Sequence, residues 1–545
     1  MRFKNIISFP LIIILVGVGF SLFLQSYIAD GVFFSGDAGL KVLLAEQFAK
    51  GEFHADIATP SVAWVRDLWN YGLYPYEPPF VYNLNDKYFI TFPYTFPLIT
   101  APFYALFGER GLYIIPLIAT WIIWLTFYWV CQKNRLNQLS ISLGLTSLIF
   151  ASYLTIYSAM YWEHTLAVAL AFGGMSLYLV GNPPQLRSNF IAIASGFLIG
   201  FSVWFRPEFL CLVALFFGLA ILTSINFFVS SIVTKFLSLK EIKFLAVKKE
   251  IFVVSMLTTV AGFFLSNKLV YGHTLGIHGF QAVKPIPWRD RLIGTCLNFK
   301  QMSLALIEYS PAIFFLVVVS IYLYLFRNTI QTRLNLQFLL LVFLVCLLFI
   351  IGVSFLVPVG TASLIPGGKQ WGVRFLLILV PVISLLIAIY FNFLDRQLSW
   401  QKYILLIFLI LLMAKGIHKN IFQATTSLEN NNQKTLPAIE FIRQNSNQII
   451  AISNQYAAQA LESSLMNNKI LFKVENTRQL IKLSQILIEQ AQENITYICY
   501  PHQRCDVIKA KPEDLKFTQG DRNYQIIISN LGTFGKYPIY EMKIK

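Results

Sequence analysis

The chain has 545 residues, of which 56% are hydrophobic and only 13% are charged, and its mean hydropathy is +0.61. Soluble domains are about 25% charged, and apolar runs near the ~20 residues of a membrane-spanning helix recur along this sequence, so a soluble fold is excluded. The net charge of +16 does not indicate nucleic acid, because lysines and arginines cluster in short gaps between the apolar runs, a pattern that orients membrane proteins.

The N-terminal segment predicts a first transmembrane helix. Met1-Arg-Phe-Lys precedes an apolar run over about residues 6–24, which is long for a signal peptide and is followed by no small-x-small cleavage site. We expect an uncleaved helix with its basic N-terminus in the cytoplasm. Residues 27–110 then form a large outer loop, which carries nine acidic residues against five lysines and arginines.

Two segments of this loop have helical character without the features of a straight span. Residues 38–50 place Leu40, Leu44 and Phe48 on one stripe and end at Gly51, which predicts an amphipathic helix lying in the membrane interface. Residues 92–108 contain three prolines, which favours a second interfacial or re-entrant helix over a spanning one.

Ten further apolar runs predict the remaining transmembrane helices. They cover about 111–131, 138–156, 165–180, 190–205, 208–230, 251–267, 304–326, 336–357, 375–394 and 402–417. With 92–108 left out of the count, every short basic loop falls in the cytoplasm; with it counted as a span, every one falls outside. The sequence therefore predicts a polytopic α-helical membrane protein with about eleven transmembrane helices.

An odd number of spans places the C-terminal residues outside the cytoplasm, where the composition becomes that of a soluble domain. The pattern there predicts helices over 438–444, 455–464 and 478–492 and strands over 448–453, 469–473, 496–500, 524–529 and 539–544. We expect a small α/β domain over residues 418–545, preceded by a transmembrane domain over 1–417. Cys499 and Cys505 could form a disulfide in that compartment.

Ionisable residues at the predicted outer membrane face are candidates for function, because charges at such a boundary are costly. They are Asp37 after the first helix, Glu163 and His164 after the third, Arg206 and Glu208 at the fifth, Lys369 and Arg374 before the tenth, and His273, His278, Lys284, Arg289 and Arg291 after the seventh. Such a set suits attack on the anomeric carbon of a sugar bound to a lipid phosphate. That reaction needs a base for the acceptor hydroxyl and cations for the departing phosphate.

Structural roles are the alternative for each candidate. Asp37 could cap the helix that follows it, and Arg206 and Arg374 could be interfacial anchors. Proline and glycine neighbours favour phosphate contact for both arginines, with Lys369 as a third cation. For the others, His164 is expected to be a hydrogen-bonded neighbour, Glu163 could be a surface acid, Glu208 could pair with an arginine, and Lys284, Arg289 and Arg291 could contact lipid headgroups.

The order of these motifs resembles the GT-C superfamily of lipid-linked glycosyltransferases, which includes protein O-mannosyltransferases and the aminoarabinose transferase of lipid A. The resemblance covers about residues 1–395. It rests on Ser35-Gly-Asp-Ala-Gly39 after the first helix, a helix ending at Lys50-Gly51, the proline-rich helix with Leu106-Phe-Gly108, then Glu163, Arg206-Pro207 and Trp371-Gly-Val-Arg374.

The resemblance implies a polyprenyl-phosphate sugar donor, inversion at the anomeric carbon, Asp37 as the catalytic base and Glu163 as a second acid. A single acid stands at the first-loop position where relatives carry a pair, so a divalent metal is left open. The expected partners are the donor lipid, an acceptor that is lipid, glycan or protein, and membrane lipid, with no nucleic acid. The expected location is the bacterial inner membrane. His164, Lys284, Arg289 and Arg291 are possible substrate-binding residues.

Two other classes of membrane protein stay open at this point. A lipid-linked sugar flippase or other transporter would also need cations near the bilayer, but inverted repeats and helices broken at the midplane, which are typical of transporters, are not visible here. An O-antigen polymerase or ligase would share the substrate chemistry, with its arginines expected in one large later loop and without an acidic first loop.

Overall fold

The computed structural model describes residues 8–180, 185–225, 249–282, 287–325, 336–357, 371–397, 400–465, 469–502 and 505–545. Contacts within the chain divide it into a helical unit, Met1–Gln25 with Tyr113–Thr425, and a mixed unit, Ser26–Leu112 with Thr426–Lys545. The division predicted from hydropathy, 1–417 and 418–545, assigns the outer loop to the membrane domain. The contacts instead join this loop to the C-terminal residues, a partnership that hydropathy cannot detect.

Apolar helices make up the helical unit. They are Phe9–Ser26, Ile114–Lys133, Gln138–Ile149, His164–Val180, Gln185–Ser202, Leu210–Ile225, Lys249–Tyr271, Ile277–Ala282, Trp288–Tyr309, Ile313–Leu325, Leu336–Leu356, Leu379–Gln397 and Gln401–Ile417. Each predicted span overlaps at least one of them. The predicted helical character is therefore confirmed.

The number of membrane spans is a separate question from the number of helices. Within the described ranges, four helical segments are long and apolar enough to cross a membrane: Phe9–Ser26, Lys249–Tyr271 and two that each combine consecutive helices, Thr95–Lys133 and Gln401–Gln444. A bent pair, Trp288–Tyr309 with Ile313–Tyr322, would be a fifth. Counted over the residues whose side chains are described, the other apolar helices have 10–17 residues, so the predicted number of about eleven is not confirmed. The span Thr95–Lys133 also includes most of the segment 92–108, which was left out of the predicted count.

One predicted span, over 304–326, is divided in two. Its halves belong to helices Trp288–Tyr309 and Ile313–Leu325, which are bent by 96° relative to each other. Pro311 lies at the break, and proline cannot donate the backbone hydrogen bond that a continuous helix needs. The loop predicted before this span is largely helical, so Arg289 and Arg291 lie in the first turn of a helix.

Glycines allow two helices of this unit to approach closely. Gly196 and Gly200 lie one turn apart and face the helix that contains Phe252 and Met256. An added Cβ would lie 2.3 Å from the Phe252 carbonyl oxygen at Gly196 and 2.7 Å from that of Met256 at Gly200. Backbones come this close only where the side chain is absent, as in the small-xxx-small contacts of membrane helices.

The mixed unit begins with helices and one hairpin. Its helices in this part are Gly36–Ala49, Ala63–Leu68 and Thr95–Phe107. Strands β1 (Val81–Leu84) and β2 (Lys87–Ile90) pair antiparallel. Asn85 and Asp86 form the two-residue turn between them, with φ of 53° and 60°. Type I′ turns need positive φ at both positions, and Asn and Asp tolerate it better than most residues.

The C-terminal part of the mixed unit contains one sheet. Its strands are β3 (Ile449–Ile452), β4 (Ile470–Lys473), β5 (Asn494–Ile498), β6 (Lys516–Gln519), β7 (Arg522–Phe534) and β8 (Tyr537–Ile544). In the described part of the chain their order is β4-β3-β5-β8-β7-β6, with β4, β3 and β5 parallel and the others antiparallel.

The helices of this part are Ala424–Gln444, Gln455–Leu465 and Thr477–Glu489. The last two connect the parallel strands, as the predicted α/β pattern requires. All five predicted strands are present, β6 was missed, and the first helix is longer than the predicted 438–444. Cys499 and Cys505 form a disulfide.

The helix Gly36–Ala49 is covered by protein. Nine of its fourteen residues are buried, so it lacks the exposed polar face predicted for an interfacial helix. Gly36 and Gly39 explain the close packing, because both face Gln459 on helix Gln455–Leu465. An added Cβ would lie 2.6 Å from the Gln459 side-chain oxygen at Gly36 and 2.1 Å from its carbonyl oxygen at Gly39. The two glycines of the Gly-Asp-Ala-Gly motif therefore allow this helix to pack closely against the C-terminal part of its unit.

A buried carboxyl also joins the two parts of the mixed unit. The Tyr76 hydroxyl donates a hydrogen bond to Glu462, whose side chain is buried. Burial raises the pKa of Glu462 to about 8; the Tyr76 hydrogen bond opposes this shift and the charge of Glu46 adds to it. The Tyr74 hydroxyl also lies close to this carboxyl.

We expect Glu462 to make the folded chain less stable as the pH rises from about 4.5 to about 8. In this window the unfolded carboxyl is ionised while the folded one keeps its proton. The folded state therefore binds more protons, and the free energy of unfolding falls by up to ~1.4 kcal/mol per pH unit. Glu462→Gln should remove this slope in thermal unfolding of the full chain in detergent. The exposed control Glu440→Gln should keep it, and parallel curves for the wild type and Glu462→Gln would contradict the assignment.

Candidate active site

A buried arginine of the helical unit is held between two glutamates. Arg206 donates from Nη1 to Oε1 of Glu163 at 2.9 Å and from Nε to Oε1 of Glu208 at 2.6 Å. The three side chains are 9%, 1% and 7% exposed, respectively. Charges at such depth are stable only when they are paired and hydrogen-bonded. The expectation that Glu208 pairs with a nearby arginine is confirmed.

Breaks between helices bring these residues together. Glu163 immediately precedes helix His164–Val180, and Arg206 precedes Pro207, the first residue of a 3₁₀ turn. The backbone of Arg206 is extended, with φ of −138° and ψ of 99°. A proline disfavours the helical conformation in the residue before it, so Pro207 keeps Arg206 outside the preceding helix. The Arg206-Pro207 dipeptide therefore directs the arginine side chain toward Glu163.

A second arginine lies beside this group. The guanidinium of Arg374 is 5.1 Å from the centre of the Phe375 ring and 5.4 Å from that of Trp162. The guanidinium of Arg206 is 5.3 Å from the same Phe375 ring. Arg374 is half-buried, whereas Arg206 is buried. The structure thus brings together three residues predicted from sequence, Glu163, Arg206 and Arg374.

Two tyrosines that sequence reasoning missed hold the backbone around Arg374. The hydroxyls of Tyr157 and Tyr153 donate to the carbonyl oxygens on either side of Gly372, at 2.9 and 3.1 Å. Gly372 has φ of 71°, and a Cβ on it would lie 2.5 Å from the Tyr153 ring. Only glycine fits this conformation and this space. Nothing in the sequence around the tyrosines distinguishes them from interfacial aromatic residues.

The formal charges of this group sum to zero. Two carboxylates on Arg206 leave one negative charge, and Arg374 supplies one positive charge beside it. Arg206 already donates to both glutamates, so its nitrogens are largely committed within the protein. Arg374 is the more exposed of the two cations.

His164 is buried next to the same group. Its ring centre lies 5.3 Å from that of Trp162 and 5.8 Å from that of Tyr157. These contacts make His164 a neighbour of residues that surround Arg374. Its predicted role in substrate binding stays a prediction.

Asp37 belongs to the mixed unit. It is half-buried in the first turn of helix Gly36–Ala49, and Ser35 occupies the N-cap position, so N-capping does not account for Asp37. A carboxylate in the first turn is favoured by the helix dipole. Lys41 follows one turn later on the same helix face, is 1% exposed and lies with Nζ 4.6 Å from the centre of the Phe92 ring. Sequence reasoning missed Lys41, although a lysine inside an otherwise apolar stripe is a recognisable signal.

The remaining candidate residues from the loop after the seventh predicted span, and Lys369, are not placed in this group by the structure. Arg289 is exposed, and the guanidinium of Arg291 lies 5.1 Å from the centre of the Phe355 ring. Lys284 and Lys369 lie outside the described residues. His273 Nδ1 accepts a hydrogen bond from the Leu275 backbone at 3.1 Å. Among the residues that the structure describes, no group of three or more His, Cys, Asp or Glu side chains is placed to hold a metal ion.

No protein-family model and no curated protein sequence matches the chain. Among solved structures, the fold is similar to that of ArnT from Cupriavidus metallidurans, in its apo state and bound to undecaprenyl phosphate. For both structures the TM-score is 0.53, the identity is 9%, and 97% of each chain is covered. The chain has the GT-C fold.

The GT-C resemblance stated for residues 1–395 is therefore confirmed as a fold, and the ArnT match extends it into the C-terminal residues. The oligosaccharyltransferase of Archaeoglobus fulgidus in the apo form is also similar, with a TM-score of 0.49 and 11% identity. That match covers 91% of this chain and 70% of the oligosaccharyltransferase.

Proposed function

We propose that this GT-C chain is an integral membrane glycosyltransferase that moves a sugar from a polyprenyl-phosphate carrier to an envelope acceptor, with inversion. The observation that carries the proposal is the buried Glu163–Arg206–Glu208 group with the more exposed Arg374 beside it. ArnT, which has a similar fold over 97% of both chains, was crystallised with undecaprenyl phosphate. This supports a lipid phosphate as the leaving group here.

Arg374 is the residue we assign to the donor phosphate. Phosphate charge grows as the bond to the anomeric carbon breaks, and a fixed guanidinium stabilises it through two parallel hydrogen bonds. Arg206, also predicted as a phosphate ligand, is engaged by two carboxylates, which favours a positioning role for it. Lys369, five residues before Arg374 in the chain, would be a second phosphate contact.

In the proposed reaction one carbon–oxygen bond forms, one breaks, and one proton is transferred. The acceptor hydroxyl oxygen attacks the anomeric carbon from the face opposite the phosphate, its proton passes to the Asp37 carboxylate, and the carbon–oxygen bond to phosphate breaks. Polyprenyl phosphate leaves with the bonding electrons. The assignment of Asp37 as the base rests on the GT-C resemblance. Glu163, oriented by Arg206, would position the acceptor hydroxyl or the sugar.

We place this chemistry on the extracytoplasmic face of the bacterial inner membrane, with the N-terminus in the cytoplasm. The positive-inside pattern of the basic loops supports this orientation. The Cys499–Cys505 disulfide supports it independently, since structural disulfides persist in oxidising compartments and are rare in the cytosol.

Replacing Arg374 tests the phosphate assignment. Arg374→Ala should lower the transfer rate roughly 10²–10³-fold, because one donor at the site of developing charge is lost, and Arg374→Lys should restore part of it. The assay is transfer from a radiolabelled polyprenyl-phosphate sugar by the full chain in nanodiscs. The exposed control Arg522→Ala should keep wild-type activity. An unchanged rate for Arg374→Ala contradicts the assignment, and lipid-linked sugar crossing the bilayer without transfer favours a flippase.

A further inference from the structure

The mixed unit contains a cavity that the proposed chemistry does not use. Its volume is about 530 Å³, within the ~300–1,000 Å³ typical of sites for small organic ligands. The segment from Trp69 to Tyr88 supplies all of its lining except Lys473, which ends strand β4. Exposed residues such as Asn70, Asn83 and Asp86 belong to the lining, so the cavity opens to solvent.

Aromatic rings form the inner part of this cavity. Tyr74 and Tyr88 stack with ring centres 3.8 Å apart, and Trp69 meets Tyr74 edge-on at 4.9 Å. The indole nitrogen of Trp69 donates to the Leu471 carbonyl oxygen at 3.0 Å, which fixes the ring. Tyr74 and Tyr88 are each 7% exposed. The rings are therefore held before any ligand arrives, which reduces the entropy cost of binding.

Polar groups that both donate and accept hydrogen bonds line the outer part. Asn70 and Asn83 offer amides, and Asp86 offers a carboxylate. Glu77 is fixed by Lys473, whose Nζ lies 2.5 Å from Oε2 of Glu77. In the part of the chain that is described, the buried Tyr74 hydroxyl makes no hydrogen bond.

The charges of the lining disfavour anionic ligands. Lys473 neutralises Glu77, and Asp86 leaves the cavity with a net negative charge. Phosphates and acidic sugars are therefore disfavoured. A neutral sugar fits both parts of the cavity, because the carbon–hydrogen face of its ring packs on aromatic rings while its hydroxyls, like the asparagine amides, donate and accept.

We infer that this cavity binds a neutral glycan. If the proposed function is correct, the glycan belongs to the acceptor, so that the cavity selects acceptors by their sugar residues. Binding itself does not depend on that proposal. Asn85 and Asp86 form the tight turn between β1 and β2, and this turn holds Asn83 and Asp86 at the rim.

The test measures glycan binding to the full chain in nanodiscs by saturation-transfer NMR and calorimetry. The probes are cellotetraose, mannotetraose and chitotetraose, with tetragalacturonic acid as the anionic control and an Ala-Ser-Thr-Ala peptide as the peptide control. At least one neutral tetrasaccharide should bind saturably, tenfold or more tightly than either control. Asn70→Ala with Asn83→Ala should weaken that binding at least tenfold.

A matched control variant tests whether the loss of binding is specific to residues that line the cavity. Tyr71 is an exposed aromatic residue of the same segment that does not line the cavity, so Tyr71→Ala should bind the sugar like the wild type. The proposal is overturned by folded protein that binds none of the three neutral probes, by preference for the peptide, or by unchanged binding in the double asparagine variant. A chain that binds the tetrasaccharide but transfers no sugar rejects the proposed function and leaves the glycan site standing.

Discussion

Asp37→Asn should lower sugar transfer roughly 10²–10⁴-fold, because an amide cannot take the proton of the acceptor hydroxyl. The fold should survive, since asparagine has the same size and Asp37 is only half-buried. The lost interaction with the helix dipole costs about 0.3–1 kcal/mol. Initial rates at saturating donor, measured beside the thermal unfolding midpoint of the full chain, separate the two effects.

A matched carboxylate tests whether the effect is local. Asp67 lies in the same loop on helix Ala63–Leu68 and is exposed, so Asp67→Asn should leave transfer unchanged. Asp37→Glu should retain more activity than Asp37→Asn, because it keeps a carboxylate at a shifted position. Transfer at the wild-type rate by Asp37→Asn would reject the base assignment while leaving the phosphate assignment of Arg374 intact.

Arg206→Met should strongly lower the stability of the helical unit. It removes the shared partner of Glu163 and Glu208 and leaves two buried carboxylates without their cation. Breaking a buried ion pair from one side costs about 3–5 kcal/mol. The measurement is the unfolding midpoint of the full chain in detergent, with activity recorded at a temperature where the variant remains folded.

Two controls identify the cause of that loss. Lys133→Met replaces an exposed cation at the end of a helix of the same unit and should change the midpoint little. Adding Glu163→Gln and Glu208→Gln to Arg206→Met should recover much of the stability, because the unpaired charges are gone. A midpoint for Arg206→Met equal to the wild type would show that the Glu163–Arg206–Glu208 group is not the buried ion pair described above.

Sequence patterns predicted the features that depend on a single residue type or on local periodicity. Glu163 and Arg206 each follow an apolar run on the same predicted side, and the structure pairs them at 2.9 Å. The alternation of helices and strands after residue 448 predicted five strands that are present. Pro311 marked the break in the predicted span over 304–326, although the apolar run around it concealed the signal.

Other features depend on contacts between residues far apart in the chain, which local patterns do not encode. The hydroxyls of Tyr153 and Tyr157 fix the backbone at Gly372 across more than two hundred residues. The burial of helix Gly36–Ala49 by a C-terminal helix has the same origin: its stripe of leucines predicted a lipid surface, whereas a protein surface covers it. The short strand β6 was missed because four residues give too little alternation to detect.

The seating of Gly36 and Gly39 against Gln459 limits how this protein can be recombined with its relatives. A chimera that takes residues 426–545 from another chain would bring a foreign helix against glycines shaped for the native one, with no room for adjustment. Exchange should succeed only when residues 26–112 travel with the C-terminal segment. The two segments are separated by more than three hundred residues, but they should therefore evolve together.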